Sequence, residues 1–389
     1  MLRRSLLTIV TGVSVCLVLV ATARAEGPSR AELGRAIFFD RSLSEPQGTS
    51  CASCHDPERA FASNNGSSLG VARGSRPGHY ARRATPSLLY LKFVPSFRFA
   101  QEGDDPQSTA VGGFFWDGRV DTITELARQP LLNPDEMNGR DGALVAEKIE
   151  AGPYAAAFRG AFGDALEAPE TALAAVGAAL EAYLTSEAMA PFTSKFDGVV
   201  RGEESFTPLE AEGLRLFKDD AKGACAQCHL VDETAREPQS SLFTDYGYDA
   251  VAPPNNARVP RAAKPDLGLC ERQDRATPTN DPMFCVNFRT PSLRNVAVRQ
   301  SFMHNGAFTS LRDVVAFYAT RTTDPRRWYK SGVVFDSVPK DYRRQVNVGM
   351  PPYNRKLGDA PALDDAEIDA IVAFLRTLTD KRYTALLRR

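Results

Sequence analysis

The sequence predicts a mainly α-helical protein of two similar halves, with long loops and little sheet, and three observations predict it. The run Cys51-Ala52-Ser53-Cys54-His55 returns as Cys225-Ala226-Gln227-Cys228-His229. Each copy follows a short amphipathic segment, and each half closes on an apolar segment with the 3.6-residue period of a helix. No alternating apolar run is long enough to build a substantial sheet, while Gly and Pro interrupt connections such as 64–86 and 233–289.

Before the first pentad, AELGRAIFFD at 31–40 puts Leu33, Ile37 and Phe38 on one helical face; before the second, LEAEGLRLF puts Leu209, Leu216 and Phe217 in a comparable arrangement. The closing helices fall over 172–184 and over a stretch carrying Ile368, Ile371, Val372, Leu375 and Leu378. The halves divide within 189–206. Residues 26–200 and 201–389 are therefore the expected domains, behind a leader at 1–25.

That leader has Arg3-Arg4, an apolar stretch over 6–20, and Ala23-Arg24-Ala25 as a small-x-small cleavage site, the pattern of a secretory signal. Thr8, Thr11, Gly12 and Ser14 weaken the apolar stretch as a lasting membrane anchor, and Cys16 leaves with it. The 389 residues contain 47 basic and 48 acidic side chains, a balance that offers nothing to nucleic acid. Export places the protein in the periplasm and permits disulfides. Cys270 and Cys285, with 14 residues between them, are the two thiols left for one.

Cys-x-x-Cys-His is the attachment motif of c-type haem: two thiols bond the two vinyl groups of one porphyrin, and the adjacent imidazole ligates the iron from below. With 7 Cys and 4 His in the chain, one such pentad arises by chance in about one sequence in a thousand. A thioredoxin-like redox pair does not need the His, and a zinc knuckle needs further close-set ligands. Two covalent haems are expected, one on Cys51 and Cys54 with His55 as iron ligand, the other on Cys225 and Cys228 with His229. A helix before each haem and another packed across it make each half cytochrome c-like.

The paired pentads occur with Phe115-Trp116-Asp117-Gly118-Arg119, Leu132-Asn133-Pro134-Asp135-Glu136-Met137, and the run from Phe288 through Val296 followed by Met303-His304-Asn305-Gly306. Together these resemble the bacterial di-haem cytochrome c peroxidase and MauG family over nearly the whole mature chain. The resemblance implies that the N-terminal haem meets peroxide and the C-terminal haem relays electrons.

The resemblance gives Glu136 the part of distal acid-base, a group that moves the peroxide proton so that the O–O bond breaks heterolytically; taken alone it reads as a solvated turn residue. Trp116 corresponds to the indole lying between the two haems, although a Trp in FWDGR also suits a core. His79 lies 24 residues after His55, and some members carry in this loop a His that ligates the ferric N-terminal haem; others leave that position open. Leu126 stands where many relatives have a distal Gln. Ala84 replaces an Asn that often binds calcium between the domains, which argues against that calcium here.

For the second haem, the peroxidases fed by an external cytochrome place a Met ligand 14 residues after the His of the His-x-Gly motif, and MauG-like members place a Tyr. Counting from His304 gives Tyr318. Ser310-Leu311-Arg312-Asp313 resembles a capping box, so Leu311, Val314, Val315 and Tyr318 share a helical face. Met303 and Met350 are alternative ligands, and His304 is expected at a propionate. Trp328, after Arg326-Arg327, reads as packing near a basic rim.

The expected activity is reduction of hydrogen peroxide to water with electrons from a small cytochrome or copper protein. The alternatives are a MauG-like oxidase, using peroxide and high-valent haem iron to oxidise aromatic residues of a protein substrate, and a di-haem electron carrier without catalysis. A homodimer is compatible with either enzyme.

Overall fold

The computed structural model describes residues 28–100, 109–232, 234–260, 265–272 and 281–388. The leader reading over 1–25 and Cys16 lie outside them. The described chain is mainly helical: α1 (Arg30–Phe39), α2 (Cys51–Cys54), α3 (Ile123–Leu132), α4 (Gly142–Ala151), α5 (Ala155–Phe162), α6 (Pro169–Leu184), α7 (Lys195–Val200), α8 (Pro208–Lys218), α9 (Leu311–Thr320) and α10 (Asp365–Arg376). Its sheet is limited to two antiparallel pairs, β1 (Arg98–Ala100) with β2 (Thr109–Val111) and β3 (Tyr248–Asp249) with β4 (Phe288–Arg289).

The internal repeat extends to helix caps and crossings. α1 opens on a capping box of Ser29 and Glu32, and α8 on one of Thr207 and Glu210, each satisfying backbone N–H groups that a first turn leaves unpaired. α1 then crosses α6, and α8 crosses α10. At the two crossings Gly34 lies against the carbonyl of Ala179 and Gly213 against that of Ala370, where a Cβ would collide with backbone. Four residues on, Phe38 and Phe217 are both buried beneath their crossings.

Leu33, Ile37 and Phe38 are buried as expected, and so are Leu216 and Phe217. Leu209 is not: it is 52% exposed, because it sits in the first turn of α8, one turn before the crossing at Gly213, while Leu214 further along is buried. The interior forms one large cluster drawn from Leu33 to Ala190 and another from Phe196 to Leu378. After Asp380 the chain returns to the first cluster, where Tyr383 is buried and Leu386 and Leu387 pack.

Polar contacts brace the second cluster and tie it to the first. Arg294 and Asp197, both fully buried, pair at 2.9 Å, and the remaining guanidinium N–H groups donate to the carbonyls of Pro238 and Ser241. Asp380 accepts from Tyr90 Oη and Asn295 Nδ2, each at 2.7 Å. The Cys270–Cys285 disulfide is formed, and the segment it anchors reaches the first half through Arg82–Glu271 at 2.6 Å, Arg83–Asp266 at 2.6 Å and Arg272–Asp121 at 2.7 Å.

Removing one member of a buried pair strands the other charge. Asp197→Ala should therefore lower the unfolding free energy by about 3–5 kcal/mol, read as a shift of the denaturant midpoint. A loss under about 1 kcal/mol, the range of an exposed pair, would show that Arg294 finds solvent.

Candidate active site

α1 and α8 deliver the two pentads to the interior in the same way. All four thiols, Cys51, Cys54, Cys225 and Cys228, are unpaired. The His55 Nδ1 lies 3.0 Å from the Phe61 carbonyl and the His229 Nδ1 lies 2.9 Å from the Phe243 carbonyl. A backbone oxygen can only accept, so each Nδ1 carries the proton and each Nε2 is left as an electron-pair donor. Burial pulls His55 down to about 4 and lowers His229 as well, keeping both imidazoles neutral, the form that binds iron.

Around the second pentad lies a mainly apolar cavity of about 240 Å³. Cys225, Cys228 and His229 line one part of it. Leu311, Val314, Val315 and Tyr318, one face of α9, line another. That helix starts where the sequence indicates: Ser310 caps it, accepting from the Asp313 N–H. Burial pushes the Tyr318 phenol well above its ordinary range. Met303 and Met350 also border the cavity, Met350 with half its surface in solvent.

At the first pentad, the turn after α3 brings Glu136 inward. Asn133 caps the end of α3 and its Nδ2 donates to Glu136 Oε1 at 2.9 Å, fixing one carboxyl oxygen and leaving Oε2 free. Burial raises the Glu136 pKa, against the lowering influence of Arg119 and Asn133. Burial first and the Glu136 charge second push the Cys54 thiol up to about 12, and the same charge is felt at Cys51. Met137 and Leu126 are buried apolar neighbours in the same core. His79 sits outside this pocket with a side chain 37% exposed, its Nδ1 2.8 Å from Asp135.

Trp116 occupies the seam between the halves. Its Nε1 donates to the Ala84 carbonyl at 2.8 Å, and its own carbonyl accepts from Arg289 N at 2.8 Å. The indole borders the same cavity as His229, and Pro86, on the side of the first pentad, lines it too. His304 is buried, stacked on Phe288 with 3.5 Å between ring centroids, and its carbonyl accepts from Ala84 N. Beside Ala84, the Arg83 guanidinium holds Asp117 and Asp266 at 2.6 Å each. Trp328 donates from Nε1 to Thr320 Oγ1 at 2.9 Å and packs on Phe308 and Phe317, with Arg327 over its ring.

Two buried arginines test whether haem suits these residues. Arg289 and Arg299 both line the cavity, and burial holds both below the usual arginine range, Arg299 down to about 10. No carboxylate among the described residues pairs with either. A desolvated cation without an anion is costly, and haem brings two propionates. Free thiols, neutral imidazoles, an apolar cavity and unpaired arginines together fit the group. Arg289 lies in the run from Phe288 through Val296 that carries the resemblance, without a role of its own there; Arg299 carried no sequence signal, since surface arginines are common. Tyr353 was missed too, with only Pro351-Pro352 ahead of it to mark a constrained turn.

Comparison with known proteins agrees. Residues 28–205 match the family model described as di-haem cytochrome c peroxidase. The chain is 36% identical over 377 residues to methylamine utilization protein MauG of Paracoccus denitrificans, covering 94% of this chain and 92% of that one. It is 28% identical over 316 residues to cytochrome-c peroxidase IdrP2 of a Pseudomonas species, covering 76% and 74%. The crystal structure of the diheme peroxidase BthA from Burkholderia thailandensis superposes with a TM-score of 0.86 at 48% identity, covering 92% of this chain and 87% of that one. Fold and site thus define a haem oxidoreductase acting on peroxide. The chain belongs to the di-haem cytochrome c peroxidase and MauG family.

Proposed function

We propose that this chain is a periplasmic enzyme that reduces hydrogen peroxide to water, with residues 26–200 and 201–389 each holding one covalent c-type haem. The inward Glu136 beside the first pentad carries this reading. Bound haem supplies the redox chemistry: H₂O₂ takes two electrons and two protons and leaves as two waters. Glu136 Oε2 accepts the proton of one peroxide oxygen and hands it to the other, which departs as water when the O–O bond breaks. Asn133 keeps the carboxyl aimed. His55, with its Nδ1–H held by Phe61, would ligate the iron of a bound haem through Nε2, and the apolar side chains of Leu126 and Met137 limit competing water.

Trp116, fixed by Ala84, shortens the path for electrons between the two haems. Arg289, Arg299 and His304 receive propionates. Arg83 already neutralises Asp117 and Asp266 beside Ala84, so the reading calls for no calcium. His79, engaged by Asp135, serves the N-terminal haem only if that pair opens. Among the described residues no helix is long and apolar enough to cross a membrane.

Electrons come from a small cytochrome or copper protein in the simplest case. Tyr318 favours a second reading, a MauG-like oxidase in which bound haem would supply the chemistry for oxidising aromatic residues of a protein substrate. An anionic oxygen ligand disfavours the ferrous state, and a haem so ligated collects electrons poorly from an ordinary cytochrome. The test is turnover of the holoprotein with peroxide and a reduced small cytochrome c. Two donor equivalents oxidised per peroxide support the peroxidase. Peroxide consumed without donor oxidation supports the oxidase, and no consumption leaves only an electron carrier.

A further inference from the structure

Tyr318 has a buried aromatic neighbour whose hydroxyl meets no full hydrogen-bond partner and acts on the Tyr318 hydroxyl. The Tyr353 ring stacks on that of Tyr318 with centroids 5.7 Å apart and planes 28° from parallel, and both line the cavity of the second pentad. Tyr353 is 3% exposed; its Oη completes no hydrogen bond of full geometry, and the side-chain group it acts on is the hydroxyl of Tyr318. Leaving a buried hydroxyl unsatisfied costs about 1–3 kcal/mol. The apolar cavity of this half offers that hydroxyl few acceptors. Asp249, which also borders it, is already held by Asn347 Nδ2 at 3.0 Å and Ala250 N at 2.8 Å.

We propose that Tyr353 is a positioning residue for the axial ligand: its hydroxyl donates a hydrogen bond to the phenolic oxygen of Tyr318 when that oxygen ligates the C-terminal haem iron. The inference rests on the Tyr318 reading and deepens it. The backbone holds Tyr353 in place through its N–H to the Met350 carbonyl at 2.8 Å. Arg321 sets its character. That arginine is 1% exposed, donates to the carbonyls of Val251 and Asn347, and stands 3.6 Å from the Tyr353 ring centroid.

A cation over the ring withdraws electron density, which strengthens the hydroxyl as a donor and disfavours removal of an electron from Tyr353 itself. Tyr353 is thus a donor to the ligand and not a station for radicals. A bond donated to an anionic ligand reduces the charge that the ligand presents to iron and so raises the reduction potential. The pair sets how far Tyr318 can hold the C-terminal haem oxidised.

The test uses the holoprotein with Tyr353→Phe, which keeps the stacked ring and removes only the hydroxyl. The phenolate-to-iron charge-transfer band of the ferric protein should remain and move to lower energy. At the wild-type midpoint potential the ferric-to-ferrous ratio of the C-terminal haem should rise about tenfold, equal to about 59 mV for one electron. An unchanged band and ratio overturn the proposal, and loss of the band overturns it by making Tyr353 itself the ligand.

Tyr318→Phe is measured alongside. If it leaves the band intact, or if the wild type has no such band, the ligand assignment fails first and takes this inference with it. Should Tyr353→Phe not fold, the wild type alone decides: the iron–phenolate stretch should shift in D₂O if a donor is bound to that oxygen, and no shift overturns the proposal.

Discussion

Glu136→Gln lowers the rate of the reaction with peroxide by about 10²–10⁴, the usual worth of a positioned proton-transfer group, while both haems remain attached. The amide keeps the bond from Asn133 Nδ2 to the fixed side-chain oxygen but cannot accept a proton. The pH profile gives a second signature. Because burial raises the Glu136 pKa above the ordinary 4.5, the group must lose its proton at a higher pH before it can act as base. The wild-type rate should fall as the pH drops through that raised value, and the acid limb should stand above pH 4.5. In the glutamine variant the limb should vanish. Stopped-flow mixing of ferric holoprotein with peroxide from pH 4 upward measures both. A variant that reacts within threefold of wild type, with its acid limb intact, would leave the proton transfer to another group.

Tyr318→Phe removes the proposed anionic ligand of the C-terminal haem. Burial holds the Tyr318 proton tightly, and coordination has to displace it. Without the hydroxyl, the phenolate-to-iron charge-transfer band should disappear. The potential of this haem should rise by at least about 0.1 V, a modest part of the roughly 0.8 V that axial ligands command. Met303 and Met350 border the cavity, and capture of the iron by either thioether would raise the potential further. Redox titration followed in the visible region separates the two haems. An unchanged C-terminal potential would mean that Tyr318 is packing alone.

Much of this architecture is legible in the chain because it is local. The pentads are contiguous, and their neutral imidazoles follow from carbonyls at Phe61 and Phe243, a few residues downstream. The capping boxes before α1 and α8 and the helix bearing Tyr318 are short-range patterns that packing respects. Leu209 was misjudged because periodicity assigns a face without saying how far the partner helix extends, and the first turn of α8 lies beyond it. Arg299 and Tyr353 could not be read from sequence at all. Their significance lies in what they lack, a carboxylate for one and an acceptor for the other, and such an absence exists only once the fold has gathered the neighbours. Glu136 stands between these cases: its turn is local, but its nearness to Cys54 is tertiary.

The most direct test of the account is an optical and EPR titration of the purified holoprotein with hydrogen peroxide, once fully ferric and once half-reduced. The account predicts that one equivalent of peroxide is consumed and that two oxidising equivalents appear, with the first spectral change at the N-terminal haem. Reaction in the ferric state would favour the oxidase that Tyr318 suggests, and reaction only after half-reduction the cytochrome-fed peroxidase. Silence in both states would contradict the proposed peroxide chemistry and leave Glu136 a half-buried carboxyl without a task.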